Sequence, residues 1–175
     1  LAGTGTLNPS QDNGADLKSV IVNPGGAIRG GTPVTATTID HTGTLTINSS
    51  VTINSTASDR GTLQFEAHRT GVGTANASKI VLGDGYNLNL NPGAGNKFAI
   101  ELVKTSATTS LDLTQSYTIT LASVGIGGHI QLNGANIAGG TTIDPSNYTL
   151  ISSTYAFNSS TSLQVLGSDA TGYDL

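Results

Sequence analysis

The densest group of charged side chains in the sequence is Glu66-Ala67-His68-Arg69. In an extended segment Glu66 and His68 point to the same side, because side chains alternate between the two faces of a strand. A carboxylate beside an imidazole could transfer protons or bind a carboxylate ligand. The simpler interpretation is a charged stretch on a solvated face or loop, and this is what we expect.

Histidine is the second residue type that could carry chemistry, and the chain has three, His41, His68 and His129. A zinc site needs three or four converging ligands. No two of these histidines stand at a ligand spacing, and the chain has no Cys. We therefore predict no metal site and no cofactor, and surface or turn positions for the histidines.

The acidic residues are spread singly along the chain. Folding could still bring two of them to the separation of about 5–10 Å used in glycoside cleavage, so a polysaccharide-cleaving enzyme stays open as an alternative. Gly83-Asp84-Gly85 lacks the spaced acids of a calcium loop and is expected to be a turn. Neither a Gly-x-Ser-x-Gly elbow nor a phosphate-binding loop with its Lys is present. We predict no catalytic residue and no enzyme activity.

Composition favours strands and restricts the partners. Gly, Thr, Ser and Asn make up nearly half of the 175 residues, and only 10% of residues are charged. Thr, Val and Ile are β-branched and suit a pleated surface. The formal net charge is −4 and the seven Lys and Arg residues are scattered, which argues against nucleic acid. No apolar run approaches the ~18 residues of a membrane span, so we expect no membrane insertion.

Short period-two patterns of apolar residues run through most of the sequence, and they predict strands with one buried face. The pairs or triplets that carry this pattern are Leu45 and Ile47, Val51 and Ile53, Leu63 and Phe65, Ile80 and Leu82, Leu88 and Leu90, Phe98 with Ile100 and Leu102, Ile119 and Leu121, Ile130 and Leu132, Tyr148 and Leu150, and Leu163 and Val165.

Turn signals separate these strands, among them Asn91-Pro92-Gly93 and Asn133-Gly134. The triplet Gly-Thr-Leu recurs at Gly5, Gly43 and Gly61, with separations of 38 and 18 residues. These separations fit two turns and one turn of a coil of ~19–20 residues.

Short strands between such turns indicate an all-β sandwich, barrel or solenoid. We divide the chain into residues 1–95, with Gly/Thr-rich β-solenoid turns, and residues 96–175, a longer-stranded region with four of the five Tyr that continues and caps the first. A short helical turn is conceivable only around residues 106–113.

Several segments resemble the autotransporter-associated β-strand repeats, also called passenger-associated transport repeats. The resemblance rests on these stretches: Gly3-Thr4-Gly5-Thr6-Leu7, Thr42-Gly43-Thr44-Leu45-Thr46-Ile47, Gly61-Thr62-Leu63-Gln64-Phe65, Ala77-Ser78-Lys79-Ile80-Val81-Leu82, Asn87-Leu88-Asn89-Leu90, Asn147-Tyr148-Thr149-Leu150-Ile151 and Ala170-Thr171-Gly172-Tyr173-Asp174-Leu175. It implies a right-handed parallel β-helix, a solenoid, on secreted or outer-membrane-displayed proteins, and it brings no catalytic residues. Residues 21–40 depart from the pattern, which leaves open whether the solenoid is unbroken through them.

The predicted fold is therefore a right-handed parallel β-helix with a capping segment, and the alternative is an antiparallel β-sandwich. The predicted function is a non-catalytic structural or display segment of a secreted or cell-surface passenger protein, able to self-assemble into fibres or sheets. The chain begins at Leu1 rather than Met, which we interpret as a piece of a longer product. Expected partners are further copies or neighbouring segments of a parent chain. A carbohydrate-binding adhesin that contacts surface glycans is the second hypothesis.

Overall fold

The computed structural model describes residues 1–9, 19–31, 42–103, 111–112, 114–152, 157 and 160–175. Within these ranges the protein is all-β, with parallel and mixed sheets and no helix. The described residues accordingly include no helix long and apolar enough to cross a membrane.

Most strands are only three to five residues long. In chain order they are β1 Ala2–Gly3, β2 Gly5–Leu7, β3 Val20–Val22, β4 Ala27–Gly30, β5 Thr44–Ile47, β6 Val51–Asn54, β7 Thr62–Phe65, β8 Ala67–Gly71, β9 Thr74–Ala77, β10 Lys79–Leu82, β11 Leu88–Asn91, β12 Phe98–Leu102, β13 Ala122–Val124, β14 Ile130–Leu132, β15 Ala135–Asn136, β16 Tyr148–Ser152, β17 Leu166–Ser168 and β18 Gly172–Asp174.

Three sheets form the body of the protein. Sheet 1 has the order β1-β4-β7-β12-β16, sheet 2 the order β2-β5-β10-β13-β18-β17, and sheet 3 the order β3-β6-β11-β14-β15. From β1 to β14 the chain passes through sheets 1, 2 and 3 in turn and repeats that order, and the β8–β9 hairpin is inserted between β7 and β10. Strands that follow this cycle pair in parallel, which differs from the antiparallel sandwich that the sequence left as an alternative.

The strands that pair antiparallel within these three sheets lie at one end of sheets 2 and 3, beyond β13 and β14. β18 pairs with β13 at the end of sheet 2, and β17 pairs with β18. β15 pairs with β14 at the end of sheet 3 through the predicted Asn133-Gly134 turn. Both turn residues have positive φ, 50° and 80°, which is the conformation that a two-residue hairpin turn requires.

The spacing between neighbouring strands is about twice the predicted length of one turn. Asn48 bonds to Asn8, 40 residues away, and Asn91 bonds to Asn54, 37 residues away. The prediction of a 19–20-residue turn is therefore wrong, and the Gly-Thr-Leu triplets do not mark equivalent positions. Leu7 pairs with Ile47 rather than with Leu45, and Leu63 lies in a different sheet.

The first part of residues 21–40, the segment that departs from the repeat pattern, joins the same sheets as its neighbours. β3 pairs with β6, and β4 pairs with β7, both in parallel. Residues 32–40 lie outside the described residues, as do all of residues 106–113 except Leu111 and Asp112.

Alternating apolar side chains form the core between the sheets, as the period-two pattern predicts. In β10 and in β6 the burial alternates strictly, and Ile80, Leu82, Val51 and Ile53 are 0–1% exposed. Leu121 is also buried but belongs to no strand, so the pattern around Ile119 marks burial without regular pairing there.

Side chains at the corners of the sheets stack in the same way as the strands. The Asn91 amide donates to Asn54 Oδ1 at 2.7 Å, and Asp84 Oδ1 accepts the backbone N–H of Ile126 at 3.0 Å. Asn87 Oδ1 likewise accepts the N–H of His129 at 2.8 Å. Each of these side chains satisfies a polar group on the neighbouring level of the stack, which backbone groups near a buried core require.

We expect Ile80→Ala to lower the free energy of unfolding by about 2–5 kcal/mol, because Ile80 is fully buried between Leu45 and Ala122 in sheet 2. Val81→Ala, at the next and half-buried position of the same strand, is the matched control and should cost less than about 1 kcal/mol. Urea unfolding followed by circular dichroism measures both. Equal losses for the two variants would contradict the assigned inward and outward faces.

Candidate functional site

The Glu66 and His68 side chains form a pair in the interior of the protein. His68 Nε2 lies 3.3 Å from Glu66 Oε1, and the two residues are 5% and 0% exposed. The prediction that they lie on a solvated face or loop is therefore wrong. They lie where the chain leaves β7 and enters the β8–β9 hairpin, and this junction is enclosed by the surrounding structure, which local alternation does not reveal.

Ser78 fixes the opposite side of the hairpin base. The N–H of Glu66 donates to Ser78 Oγ at 2.8 Å, and the N–H of Ser78 donates to the Glu66 carbonyl at 2.8 Å. The hairpin ladder continues directly above with Ala67 opposite Ala77. Ser78 is 0% exposed, so its hydroxyl closes the hairpin base away from solvent.

Arg29 is the other buried charged side chain of the described residues, at 4% exposed. It lies on β4, and Ile28 of the same strand pairs with Leu63 of β7, the strand that leads into Glu66. Arg29, Glu66 and His68 each make further interactions. Burial of charge is tolerated only where the charged groups have such partners.

A carboxylate, an imidazole and a hydroxyl are the residue types of a nucleophilic triad. Their arrangement here does not serve that chemistry, because Ser78 Oγ accepts a backbone N–H and all three residues are at most 5% exposed. A substrate bond cannot reach a hydroxyl that is closed off from solvent. The cluster of Glu66, His68 and Ser78 is best described as a polar lock that fixes the base of the hairpin.

A second histidine contact lies near the end of sheet 2. Asp169 Oδ1 accepts the Tyr173 hydroxyl at 2.6 Å and lies 3.6 Å from His129 Nδ1. The rings of His129 and Tyr173 are 5.6 Å apart. The hydrogen bond to Asp169, together with burial, raises the pKa of Tyr173 above its ordinary value. We call Asp169, Tyr173 and His129 the clasp.

Neither histidine contact has the ligands of a metal site. His68 contacts Glu66 and His129 contacts Asp169, and the described residues contain no group of three or more His, Cys, Asp or Glu that could hold a metal ion. His41 lies outside the described residues. Asp84, the possible calcium ligand, instead accepts the N–H of Ile126 in a turn, as expected.

A cleft of about 300 Å³ opens beside sheet 1. Asp112 is the only carboxylate among the described residues that line it, and Arg69 Nη1 lies 3.7 Å from Asp112 Oδ2. The backbone N–H of Thr114, and then its hydroxyl, hold the pKa of Asp112 below its ordinary value. An ionised carboxylate without a second acid does not make the acid–base pair of a glycoside hydrolase.

The tyrosines do not form a platform for sugar in the described part of the chain. Tyr148 and Tyr173 are buried, and Tyr86 and Tyr117 are half-buried. Tyr155 lies outside the described residues. An exposed row of Tyr would favour the adhesin hypothesis.

Comparisons with known proteins add no family or fold neighbour. No protein-family model matches the chain, and no curated protein or solved structure matches it either. The resemblance to autotransporter-associated repeats accordingly stays a prediction.

We expect Glu66→Ala and His68→Ala each to lower the free energy of unfolding by about 3–5 kcal/mol, because each removes one partner of a buried polar pair. The double variant should lose less than the sum of the two, since the pair is in direct contact. Arg69→Ala is the control. It breaks a partly exposed ion pair, so its effect should be small. Strict additivity, or an equally large effect of Arg69→Ala, would contradict a stabilising lock.

The loss of stability at acid pH should depend on two carboxyl groups, those of the partly exposed Asp112 and the exposed Asp144. Thr114 lowers the pKa of Asp112, and the backbone N–H and then the side chain of Ser146 lower the pKa of Asp144. A pKa that is lower in the folded state gives stability that is complete above the unfolded value of about 3.9 and is lost as the pH falls through the folded value.

Carboxyl ¹³C NMR titration measures this directly, and both carboxyl groups should titrate below pH 3.9. Asp144→Asn keeps an acceptor oxygen for Ser146 but removes the charge. The free energy of unfolding of this variant should therefore fall less steeply as the pH is lowered. Titration of either carboxyl group at or above the ordinary value would contradict the hydrogen-bonded geometry.

Proposed function

We propose that this chain is a non-catalytic structural segment of a secreted or cell-surface protein, folded as a right-handed parallel β-helix. The single observation that carries the proposal is the cyclic passage of the chain through three sheets, in which the strands of successive cycles pair in parallel and in register. Parallel strands joined by crossover connections are right-handed in nearly all proteins, and this favours a right-handed winding.

The side chains on the outward faces of the sheets form rows that suit a structural role. Thr52, Asn89 and Gln131 stand in register on sheet 3, and Thr46, Val81 and Ser123 stand in register on sheet 2. None of these side chains is charged. Hydroxyl and amide groups keep such a wall hydrated without the mutual repulsion of like charges, while the backbone pairing along the stack gives rigidity.

The antiparallel strands at the end of sheets 2 and 3 support a role for residues 96–175 as a cap of residues 1–95. β18 covers β13 and β15 covers β14, so two of the three sheets do not end on a parallel strand there. Sheet 1 crosses the boundary at residue 95, because β12 pairs with β7. A stack closed in this way suits display at a cell surface, where the chain stands alone or continues a longer parent protein.

The proposal that the chain is not catalytic is supported by the low solvent exposure of its clustered polar groups. The one Glu–His–Ser cluster in the described residues is buried, and the cleft beside sheet 1 has a single described carboxylate. The extracellular location is supported by the composition and by the resemblance to autotransporter-associated repeats.

A panel of glycans and polysaccharides tests the proposal against its two alternatives. We expect no specific glycan retention and no release of reducing sugar by the purified protein. Asn89→Ala with Gln131→Ala alters the amide row on sheet 3, and Thr46→Ala with Ser123→Ala alters the hydroxyl row on sheet 2.

Glycan binding that either double variant abolishes, with the fold intact, would overturn the structural proposal in favour of an adhesin. Release of reducing sugar that Asp112→Asn abolishes would overturn it in favour of an enzyme.

A further inference from the structure

We propose that residues 166–175 are an autoinhibitory cap, which occupies the edge of β13 and thereby prevents a second copy of the chain from pairing with that edge. The C-terminal cap, as we call this segment, comprises β17, β18 and the connection between them. The inference rests on the pairing of β13 with β18 and not on the proposed winding of the chain.

β18 occupies the hydrogen-bonding edge that sheet 2 would otherwise leave open. The N–H groups of Leu121 and Ala122 donate to the Leu175 carbonyl at 2.6 and 3.3 Å, and the N–H of Leu175 donates back to the Ala122 carbonyl at 2.9 Å. Ser123 then pairs with Asp174, and Val124 with Tyr173. An open edge of this kind is a template for another strand.

The C-terminal cap also covers the end of the core. Tyr173 is 8% exposed and Leu175 is 4% exposed, and both belong to the same apolar cluster as Val124. Removing them would leave an apolar end beside an unpaired strand edge. Both features favour association with a matching surface.

The C-terminal cap is attached to the body through β18 and through the clasp. β17 pairs with β18, and all three residues of β17 are exposed. The clasp joins the turn of the C-terminal cap to the body through Asp169, Tyr173 and His129. By contrast β13 also pairs with β10 on its other side, so it keeps a parallel partner without the cap.

A second copy of this chain is the partner that fits the uncovered edge. β13 accepts an antiparallel strand in the native protein, and two β13 edges related by a two-fold axis meet in an antiparallel manner. The cap itself opposes this contact by charge, since it carries Asp169 and Asp174, and from residue 105 onwards the sequence has no Lys or Arg. Like charges on two such ends repel each other at close range.

The experiment compares the full chain with a variant that ends at Val165. Size-exclusion chromatography with light scattering measures the mass of each at protein concentrations of about 1 to 100 µM, a range that spans micromolar affinity. We expect the full chain to be monomeric and the truncated chain to double its mass. A peptide of residues 168–175, added in trans, should bind the truncated chain, return it to a monomer and leave the full chain unaffected.

Two substitutions in the truncated chain distinguish pairing at the β13 edge from non-specific association. Ser123→Lys places like charges near the two-fold axis on β13 and should restore the monomer. Gln131→Lys places the same charge on sheet 3 and should leave the dimer intact. A folded truncated chain that stays monomeric, or one whose association responds equally to both lysines, overturns the proposal.

A variant of the full chain tests the same edge if truncation costs the fold. Asp169→Ala removes the centre of the clasp but no buried apolar group. We expect faster hydrogen exchange at the amides of Ala122 and Val124, with the amide of Ile80 unchanged, and a dimer fraction that rises with concentration. Faster exchange without any dimer, or unchanged exchange at all three amides, overturns the proposal.

Discussion

The stacking of inward apolar side chains on successive levels of the three sheets is the interaction on which the rest of the structure depends. Leu45, Ile80 and Ala122 form one such row in sheet 2, and Leu63, Ile100 and Leu150 form another in sheet 1. A strand of three to five residues contributes only two or three inward side chains, which is too little apolar area to order it alone. A strand inside a sheet is therefore stable because the strands on both sides cover its edges and its apolar groups.

Corners impose a second requirement, because every corner brings backbone polar groups close to an apolar interior. Asn, Asp and Ser side chains meet it by bonding to the neighbouring level, as Asn87 does with the N–H of His129 and Ser50 with that of Asn87. Short amide and hydroxyl side chains do this without filling the interior. This need gives a physical reason for a sequence rich in Asn, Ser and Gly yet low in charge.

Local patterns in the sequence predict the parts of this fold that depend on neighbouring residues. The period-two alternation correctly indicates burial of Ile47, Leu82 and Leu90, and Asn133-Gly134 correctly indicates a hairpin turn. The spacing of levels was mispredicted because Gly-Thr-Leu is a frequent chance match in a chain so rich in Gly and Thr, whereas true register follows from pairing between distant strands.

The candidate site was harder to predict than the strands for the same reason. Glu66 and His68 have the sequence signature of a solvated strand, and their burial depends on a hairpin base that closes through Ser78, twelve residues further along the chain. The alternation at Ile119 and Leu121 shows the opposite case, in which an apolar pattern marks burial without a strand. Burial of polar groups is decided by contacts that no local window contains.

The distance along the chain between paired residues of neighbouring parallel strands varies, from 27 residues between Ala2 and Arg29 to 50 between Phe98 and Tyr148. The walls nevertheless keep a regular register, so the residues that connect the strands are accommodated in corners and in the β8–β9 hairpin, whose tip exposes 85% of Val72. Length changes at these places leave the stacked rows unaltered. The corners are thus the part of this architecture in which evolution can lengthen, shorten or redecorate the protein while its interior stays the same.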